Sequence, residues 1–164
     1  VIPNNVESTK TISNAPSIQI KDPKDYLSLS NGMVLSQKTH YFRGLGKLRI
    51  DNGTSLDAIA KLVDTVTNKS VYTVYVKANS VLNVSEISDG KFKLYFNLGN
   101  DWNKELIAFN VNSGYEVFEE NFEFTTDDSG SEYTEYSTFS VTLNPVVGGQ
   151  ARTDSVSAVE FGSY

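Results

Sequence analysis

The sequence predicts an all-β protein, an antiparallel two-sheet β-sandwich of about seven strands. Short stretches of alternating apolar and polar residues recur at intervals of about ten residues, separated by turns that contain Gly, Asn or Asp. β-branched and aromatic residues, which strands favour, are frequent, with 9 Tyr and 9 Phe in the chain. Helical spacing is confined to the last residues, so short strands joined in this way indicate a sandwich.

We predict three segments along the 164 residues. Residues 1–45 are polar, rich in Asn, Ser and Thr, and interrupted by three prolines, which predicts an extended N-terminal arm. Residues 46–144 hold the predicted strands and form the sandwich core. Because a proline ends the last of these strands, residues 145–164 are predicted to form a C-terminal tail that packs on the core.

The first predicted strands of the core differ in how clearly they define a buried face. Residues 47–50 alternate and lead into the turn Asp51-Asn52-Gly53-Thr54. In residues 56–63 either alternating set could face the core, so the assignment of faces stays open. Residues 71–77 are dense in β-branched and aromatic residues and give the strongest strand prediction in the chain.

A predicted hairpin follows. Residues 81–87 lead into the turn Ser88-Asp89-Gly90, and apolar residues at 92, 94 and 96 then alternate with polar ones. From Gly99 to about Asn112 we predict a loop.

The remaining elements are two strands and one short helix. The strands lie around residues 118–124 and 133–143, on either side of a turn at 127–130. Residues 154–161 have the spacing of a short helix, which Thr153 or Asp154 could cap.

Composition argues against several classes of function. The net charge is −6 and the isoelectric point about 4.8, which argues against nucleic-acid binding because phosphate contacts need a dense basic face. No stretch approaches the ~20 apolar residues of a membrane span. The chain has no Cys, which removes disulfides and thiolate chemistry. Abundant Ser, Thr, Asn and Tyr favour an extracellular or cell-surface location.

The predicted hairpin resembles a known family. It reads Asn79-Ser80-Val81, then Ile87-Ser88-Asp89-Gly90-Lys91-Phe92-Lys93-Leu94-Tyr95-Phe96. These residues are similar to the strand, turn and strand of carboxypeptidase-regulatory-like and transthyretin-like modules, and the similarity covers residues 46–98. A longer stretch, with Asn52-Gly53-Thr54, Gly99-Asn100-Asp101-Trp102 and Asn144-Pro145-Val146-Val147-Gly148-Gly149, also resembles a domain of unassigned function in secreted bacterial proteins. The resemblance implies a compact extracellular β-module and transfers no catalytic residue.

Residues suited to catalysis or metal binding are few. His40 is the only His, so any His-dependent base, triad or metal site would have to use it. No Gly-x-Ser-x-Gly elbow is present, and we expect a protein that is not an enzyme. Residues 116–135 hold eight carboxylates and no basic residue. Within them Asp127, Asp128 and Glu132 form a candidate calcium site, and the alternative is a solvated acidic edge. We expect no other cofactor.

Two binding functions are predicted, ahead of hydrolase activity as a third. One is a carbohydrate- or surface-binding module, in which exposed aromatic rings stack on a polysaccharide. The candidate rings belong to Trp102, Tyr115, Tyr133 and Tyr136.

The leading hypothesis is a structural subunit that self-associates through its N-terminal arm. The alternating residues Ile18, Ile20, Leu27 and Leu29 are candidates for a strand that pairs with the sheet edge of a neighbour. Residues 1–104 carry 13 basic and 9 acidic groups, whereas residues 105–164 carry 1 basic and 11 acidic groups. This asymmetry, of +4 against −10, could attract one copy to another. Head-to-tail contacts of this kind build a homo-oligomer or an open filament.

Overall fold

The computed structural model describes residues 21–130, 132–143 and 152–164. It confirms a mostly β fold with one short C-terminal helix in the described residues. The strands in chain order are β1 (Val34–Gln37), β2 (Gly46–Asn52), β3 (Asp57–Asp64), β4 (Lys69–Val76), β5 (Ser80–Ile87), β6 (Gly90–Asn103), β7 (Ala108–Phe118), β8 (Phe122–Phe124), β9 (Thr126–Asp127), β10 (Glu135–Tyr136), β11 (Thr138–Thr142) and β12 (Thr153–Val156). The helix α1 spans Ala158–Gly162, and two 3-10 turns lie at Pro23–Asp25 and Thr39–Tyr41.

The strands form a large sheet, a small sheet and a short ribbon. The large sheet has the order β1-β4-β3-β6-β7-β12, with β8 also paired to β6, and all its pairs are antiparallel. The small sheet has the order β11-β2-β5, and β9 pairs with β10 in the ribbon. The pairing of β11 with β2 is parallel, a feature that the sequence pattern did not predict.

The main core lies between the two sheets. Ala58, Ala60 and Leu62 of β3 belong to one cluster of buried side chains with Leu48 and Ile50 of β2. Rings from β6, β7 and β8 fill the rest of this cluster, and they pack mostly edge to face or tilted. Burial of this apolar surface is the main force that holds the sheets together.

The large sheet is also covered on its outer face, and this explains the ambiguous pattern of residues 56–63. Every residue of β3 is buried. Ile59 and Val63 point away from the main core into a second cluster that includes Tyr75 and Trp102. The cover comes from the chain before β1 and from α1, which contributes Phe161. Both alternating sets therefore contain apolar residues, because both faces of the strand are buried, and Asp57 and Lys61 are the charged exceptions in the outer set.

The described part of the N-terminal arm packs on its own chain. β1 pairs with β4, and the amide of Trp102 donates a hydrogen bond to the carbonyl of Leu27 (2.8 Å). Leu29 packs in the outer cluster, whereas the side chain of Leu27 is exposed. Residues 21–45 therefore form part of the domain rather than a free arm. The assembly residues Ile18 and Ile20 lie outside the described residues.

The predicted loop from Gly99 to Asn112 is wrong, because β6 and β7 form a long hairpin whose turn is residues 104–107. Polar side chains that suggested a loop form hydrogen bonds within the fold. Asp101 is buried, and its carboxylate accepts hydrogen bonds from the Lys21 ammonium, the Leu27 amide (3.0 Å) and the Asn110 side chain (2.9 Å). These bonds hold the pKa of Asp101 at about 2.

The C-terminal tail holds a helix, as predicted, but the helix starts later. The residues expected to cap it, Thr153 and Asp154, lie in β12, which pairs with β7. The cap is Ser157, whose hydroxyl accepts a hydrogen bond from the Glu160 amide (3.0 Å). Pairing with an available strand edge outweighed the helical spacing of the first residues.

Candidate functional site

The proposed calcium residues are not arranged as a metal site in the described part of the chain. Asp127 and Asp128, the first two carboxylates of the turn, are exposed. One carboxylate oxygen of Asp127 accepts hydrogen bonds from the amide (2.9 Å) and the hydroxyl (2.6 Å) of Ser129, which lower the pKa of Asp127. The described residues, Glu132 included, hold no group of three His, Cys, Asp or Glu able to bind a metal. Calcium binding stays a prediction.

The four candidate stacking rings do not share one surface. Trp102 is only 4% exposed and packs edge-on against Tyr75 and Phe109, at 5.7 Å between ring centroids in each pair. Tyr115 packs against Phe161.

The other two rings, of Tyr133 and Tyr136, are exposed on residues 133–136, at the ribbon of β9 and β10. The Tyr136 hydroxyl accepts a hydrogen bond from the Lys47 ammonium (2.9 Å). Trp102 is enclosed and so does not offer a stacking face in this structure, and polysaccharide binding stays a prediction.

A pocket lies on the outer face of the large sheet, where β1 and α1 flank β3 and β4. Its volume is about 480 Å³, within the range of small-molecule sites. Three lysines line it, Lys38, Lys61 and Lys69, and we call it the lysine pocket. Its lining also includes hydroxyl groups, from Ser36, Ser70, Thr73, Ser163 and Tyr164.

Strand register explains why polar side chains meet in this pocket. Ser36 of β1 is paired with Thr73 of β4, and Thr73 is paired with Lys61 of β3. Cross-strand partners project from the same face of a sheet, so two hydroxyls and an ammonium form one row across three strands. A third hydroxyl joins this row, because the Ser70 Oγ lies 3.1 Å from the Thr73 Oγ1.

Lys61 is the unusual residue of the pocket. Its side chain is only 8% exposed, because the position faces the covered side of a central strand. The ammonium donates a hydrogen bond to the Phe161 carbonyl (2.6 Å) and lies 4.3 Å from the centroid of the Phe161 ring. Burial lowers the pKa of Lys61 below its ordinary value of 10.5.

None of the three pocket lysines forms an ion pair among the described residues, although Asp64 is the cross-strand partner of Lys69. The ion pairs among the described residues use other cations, on Lys21, Lys24, Arg49 and Lys91. None of the three pocket lysines has a described carboxylate within the 4.0 Å of an ion pair, and no acidic residue lines the pocket. Three lysines thus line one concave space in a protein whose net charge is −6. Such a space favours an anion.

Sequence reasoning missed this site. Lys38 lies in the predicted arm, and Lys69 and Ser70 precede the strand predicted at residues 71–77. One signal was available, because Lys61 interrupts a run of apolar residues in which both faces proved to be buried. A lysine at such a position is either paired or functional, since buried charges are costly. Which other cations join it depends on strand pairing, which the sequence does not reveal.

Comparisons of this chain with known proteins give no functional assignment. The chain matches no family model, and the comparisons with curated proteins and with solved structures found no match. The resemblance to transthyretin-like modules therefore stays a prediction.

Among the described residues no helix is long and apolar enough to cross a membrane. His40 is exposed, and its ring packs beside that of Tyr41.

Proposed function

We propose that this protein is a non-catalytic binding module, extracellular or at the cell surface, that binds an anionic ligand in the lysine pocket. The observation that carries the proposal is the buried ammonium of Lys61, which has a carbonyl oxygen but no carboxylate as its partner. Burial of a charge without an opposite charge beside it costs several kcal/mol in proteins. A ligand that brings the missing negative charge offsets this cost.

The lining of the pocket suits an oxyanion. Lysine ammonium groups donate up to three hydrogen bonds each, and serine and threonine hydroxyls can donate one. Ser70 and Thr73 stand beside Lys61 and Lys69 on adjacent strands. A phosphate, sulfate or carboxylate group would therefore find both charge and directed donors. No His, Asp or Glu is among the described residues that line the pocket, which is why we favour binding over turnover.

The test is a binding titration with inorganic phosphate, sulfate and acetate. We expect saturable binding to the full chain and a rise in melting temperature, because a ligand that binds only the folded state stabilises it. Lys61→Met keeps the aliphatic stem and removes the charge. We expect it to weaken binding by about 10- to 100-fold, the value of one charge-assisted hydrogen bond.

The matched control is Lys77→Met, which changes the net charge equally at an exposed position outside the pocket. We expect this variant to bind like the wild type. The proposal fails if none of the three anions binds, or if the Lys61 and Lys77 variants lose affinity to the same small extent.

Self-association of a structural subunit is the second candidate function. Among the described residues β5 and β11 each pair with another strand on one side only, which leaves main-chain groups at the margins of the small sheet. The alternating residues 17–20 could pair with such a margin in a neighbouring copy. Residues 21–45 cannot serve this purpose while they pack on their own chain.

The second candidate is tested by deletion of residues 1–20, which leaves the contacts of Lys21 and Leu27 with β6 in place. We expect light scattering to show oligomers for the full chain and a monomer for the deletion variant, while circular dichroism stays unchanged. Particle sizes that are equal for both proteins would reject self-association through this segment.

A further inference from the structure

We infer that the ligand of the lysine pocket is amphipathic, with one anionic head and one apolar tail, as in an alkyl carboxylate or alkyl phosphate. This inference rests on the proposed function and adds the chemical class of the ligand. It is drawn from the apolar part of the pocket lining and from the backbone of Ile107.

The pocket has a cationic end and an apolar end, and the strand register orders them. Along β3, Ile59 and Lys61 line the pocket, and Asp64 at the end of the strand is paired with Lys69. Five residues of a strand span about 16 Å. The amide of Lys38 donates to the carbonyl of Val71, two residues beyond Lys69, so Lys38 lies at the same cationic end.

The apolar end is formed by side chains from three parts of the chain. Ile59 is buried, and Leu35 of β1 packs in the same outer cluster. Ile107 comes from the turn between β6 and β7 and also lines the pocket. The pairing of β6 with β3 ends at Gly99, opposite Asp57, and β6 continues to residue 103 before the turn. The turn therefore extends beyond the end of β3 that carries Ile59.

Ile107 combines two unfavourable features. Its backbone has a φ of 51°, in the left-handed region that β-branched residues rarely occupy. Its side chain is 63% exposed, and that of the adjacent Leu106 is 71% exposed. Asn, Gly or Asp would fit this turn with less strain and less exposed apolar surface. Strained residues of this kind are concentrated at functional sites.

An apolar tail of the ligand accounts for both features. Contact with a tail removes the Ile107 side chain from water, and the strained backbone holds that side chain over the apolar end. The head would meet Lys61, Lys69 and the neighbouring hydroxyls. A ligand that lacks the tail uses only half of the pocket, and one that lacks the head leaves the Lys61 charge unpaired.

The experiment compares ligands that differ in one part. The full chain is titrated calorimetrically with decanoate below its critical micelle concentration, with acetate as the head alone and with 1-decanol as the neutral tail. We expect decanoate to bind at least tenfold more tightly than either. Decyl phosphate and inorganic phosphate form the same comparison for the other head group.

Two variants separate the tail contact from stability. Ile107→Gly and Ile107→Asn remove the apolar side chain and suit a left-handed φ, so we expect the melting temperature to stay equal or rise. We expect both to weaken decanoate binding by about tenfold, from the lost burial of the branched side chain, and to leave acetate binding unchanged. The matched control is Val66→Gly, which removes an exposed β-branched side chain from another turn, outside the pocket.

The outcomes distinguish the two proposals. If no anion binds, or if 1-decanol binds as tightly as decanoate, the proposed function itself fails. If acetate binds as tightly as decanoate, or if the Ile107 variants bind decanoate like the wild type, the proposed function stands and the amphipathic ligand is overturned. Sedimentation with phosphatidic acid vesicles, without binding of monomeric decyl phosphate, would overturn a free amphiphile in favour of a membrane surface.

Discussion

Replacement of Asn52 by Ala should be among the most damaging single substitutions in this fold. Asn52 ends β2, and its side chain is fully buried. Its nitrogen donates to three main-chain carbonyls, those of Leu56 (2.8 Å), Val76 (3.2 Å) and Lys77 (3.2 Å). Its oxygen accepts hydrogen bonds from the amide (3.2 Å) and the hydroxyl (2.7 Å) of Thr54. One amide group thus ties the turn after β2 to the end of β4.

The expected loss follows from these bonds. A buried hydrogen bond contributes about 1 kcal/mol net, and an acceptor left unpaired in the interior costs about 1–3 kcal/mol. The two N–H groups of Asn52 serve three carbonyls, so one N–H is shared. The single Thr54 hydroxyl proton, which Asn52 accepts in the native protein, can turn to the Leu56 carbonyl (3.0 Å) in the variant. We therefore expect Asn52→Ala to lower the free energy of unfolding by about 3–4 kcal/mol. Asn52→Asp should cost at least as much, because a carboxylate cannot donate to the carbonyls.

Urea unfolding provides the assay, because the buried Trp102 reports on the outer cluster through its fluorescence. The matched control is Asn83→Ala, at an exposed position of β5, for which we expect a change within about 0.5 kcal/mol. A loss of less than about 1 kcal/mol for Asn52→Ala, with an unchanged denaturant slope, would refute this account of the turn.

Three further predictions concern the large sheet. Asp101→Asn should lower the melting temperature at neutral pH and make it depend less on acid pH. The pKa of Asp101 is about 2 in the folded protein, below its ordinary 3.8. The stability that Asp101 contributes is therefore present above about pH 4 and is lost as the pH falls toward 2. Gly99→Ala should lower the free energy of unfolding by about 1–3 kcal/mol in urea titrations, since a Cβ would meet the Phe109 ring at 2.5 Å. Tyr75→Phe should destabilise the fold at neutral pH, because it leaves the Asp57 carboxylate without its hydroxyl donor. Above pH 10 the same variant should lose less stability in melting curves than the wild type. Burial raises the pKa of Tyr75 in the folded protein, so the tyrosine of the unfolded chain ionises first and favours unfolding. Unchanged melting curves for the Asp101 and Tyr75 variants, or an unchanged urea titration for Gly99→Ala, would contradict the respective arguments.

The sequence predicted the fold well where the pattern is local. Residues 71–77 were predicted as a strand, and β4 occupies Lys69–Val76. The turn at Ser88-Asp89-Gly90 separates β5 from β6 as expected. Alternation and turn residues act over a few neighbours, so they can be recognised without knowledge of the partner strand.

Prediction failed where a distant contact decides the local structure. The stretch from Gly99 to Asn112 has the composition of a loop, yet it is paired as the end of a hairpin. Buried Asp101 is satisfied there by Lys21 and Leu27, which are more than seventy residues away in the chain. The described part of the predicted arm became β1 for a related reason, because β4 offered an edge that a polar strand could pair with.

Composition and periodicity by themselves determined that this chain is a β-protein with a strand or turn at most of its predicted positions, because these preferences depend on neighbouring residues. Only the tertiary structure decided that both faces of β3 are covered and that Lys61 shares one pocket with Lys38 and Lys69. The physical reason is that strand pairing sets which side chains are neighbours across a sheet, and residues 38, 61 and 69 become neighbours only when β1, β4 and β3 lie side by side.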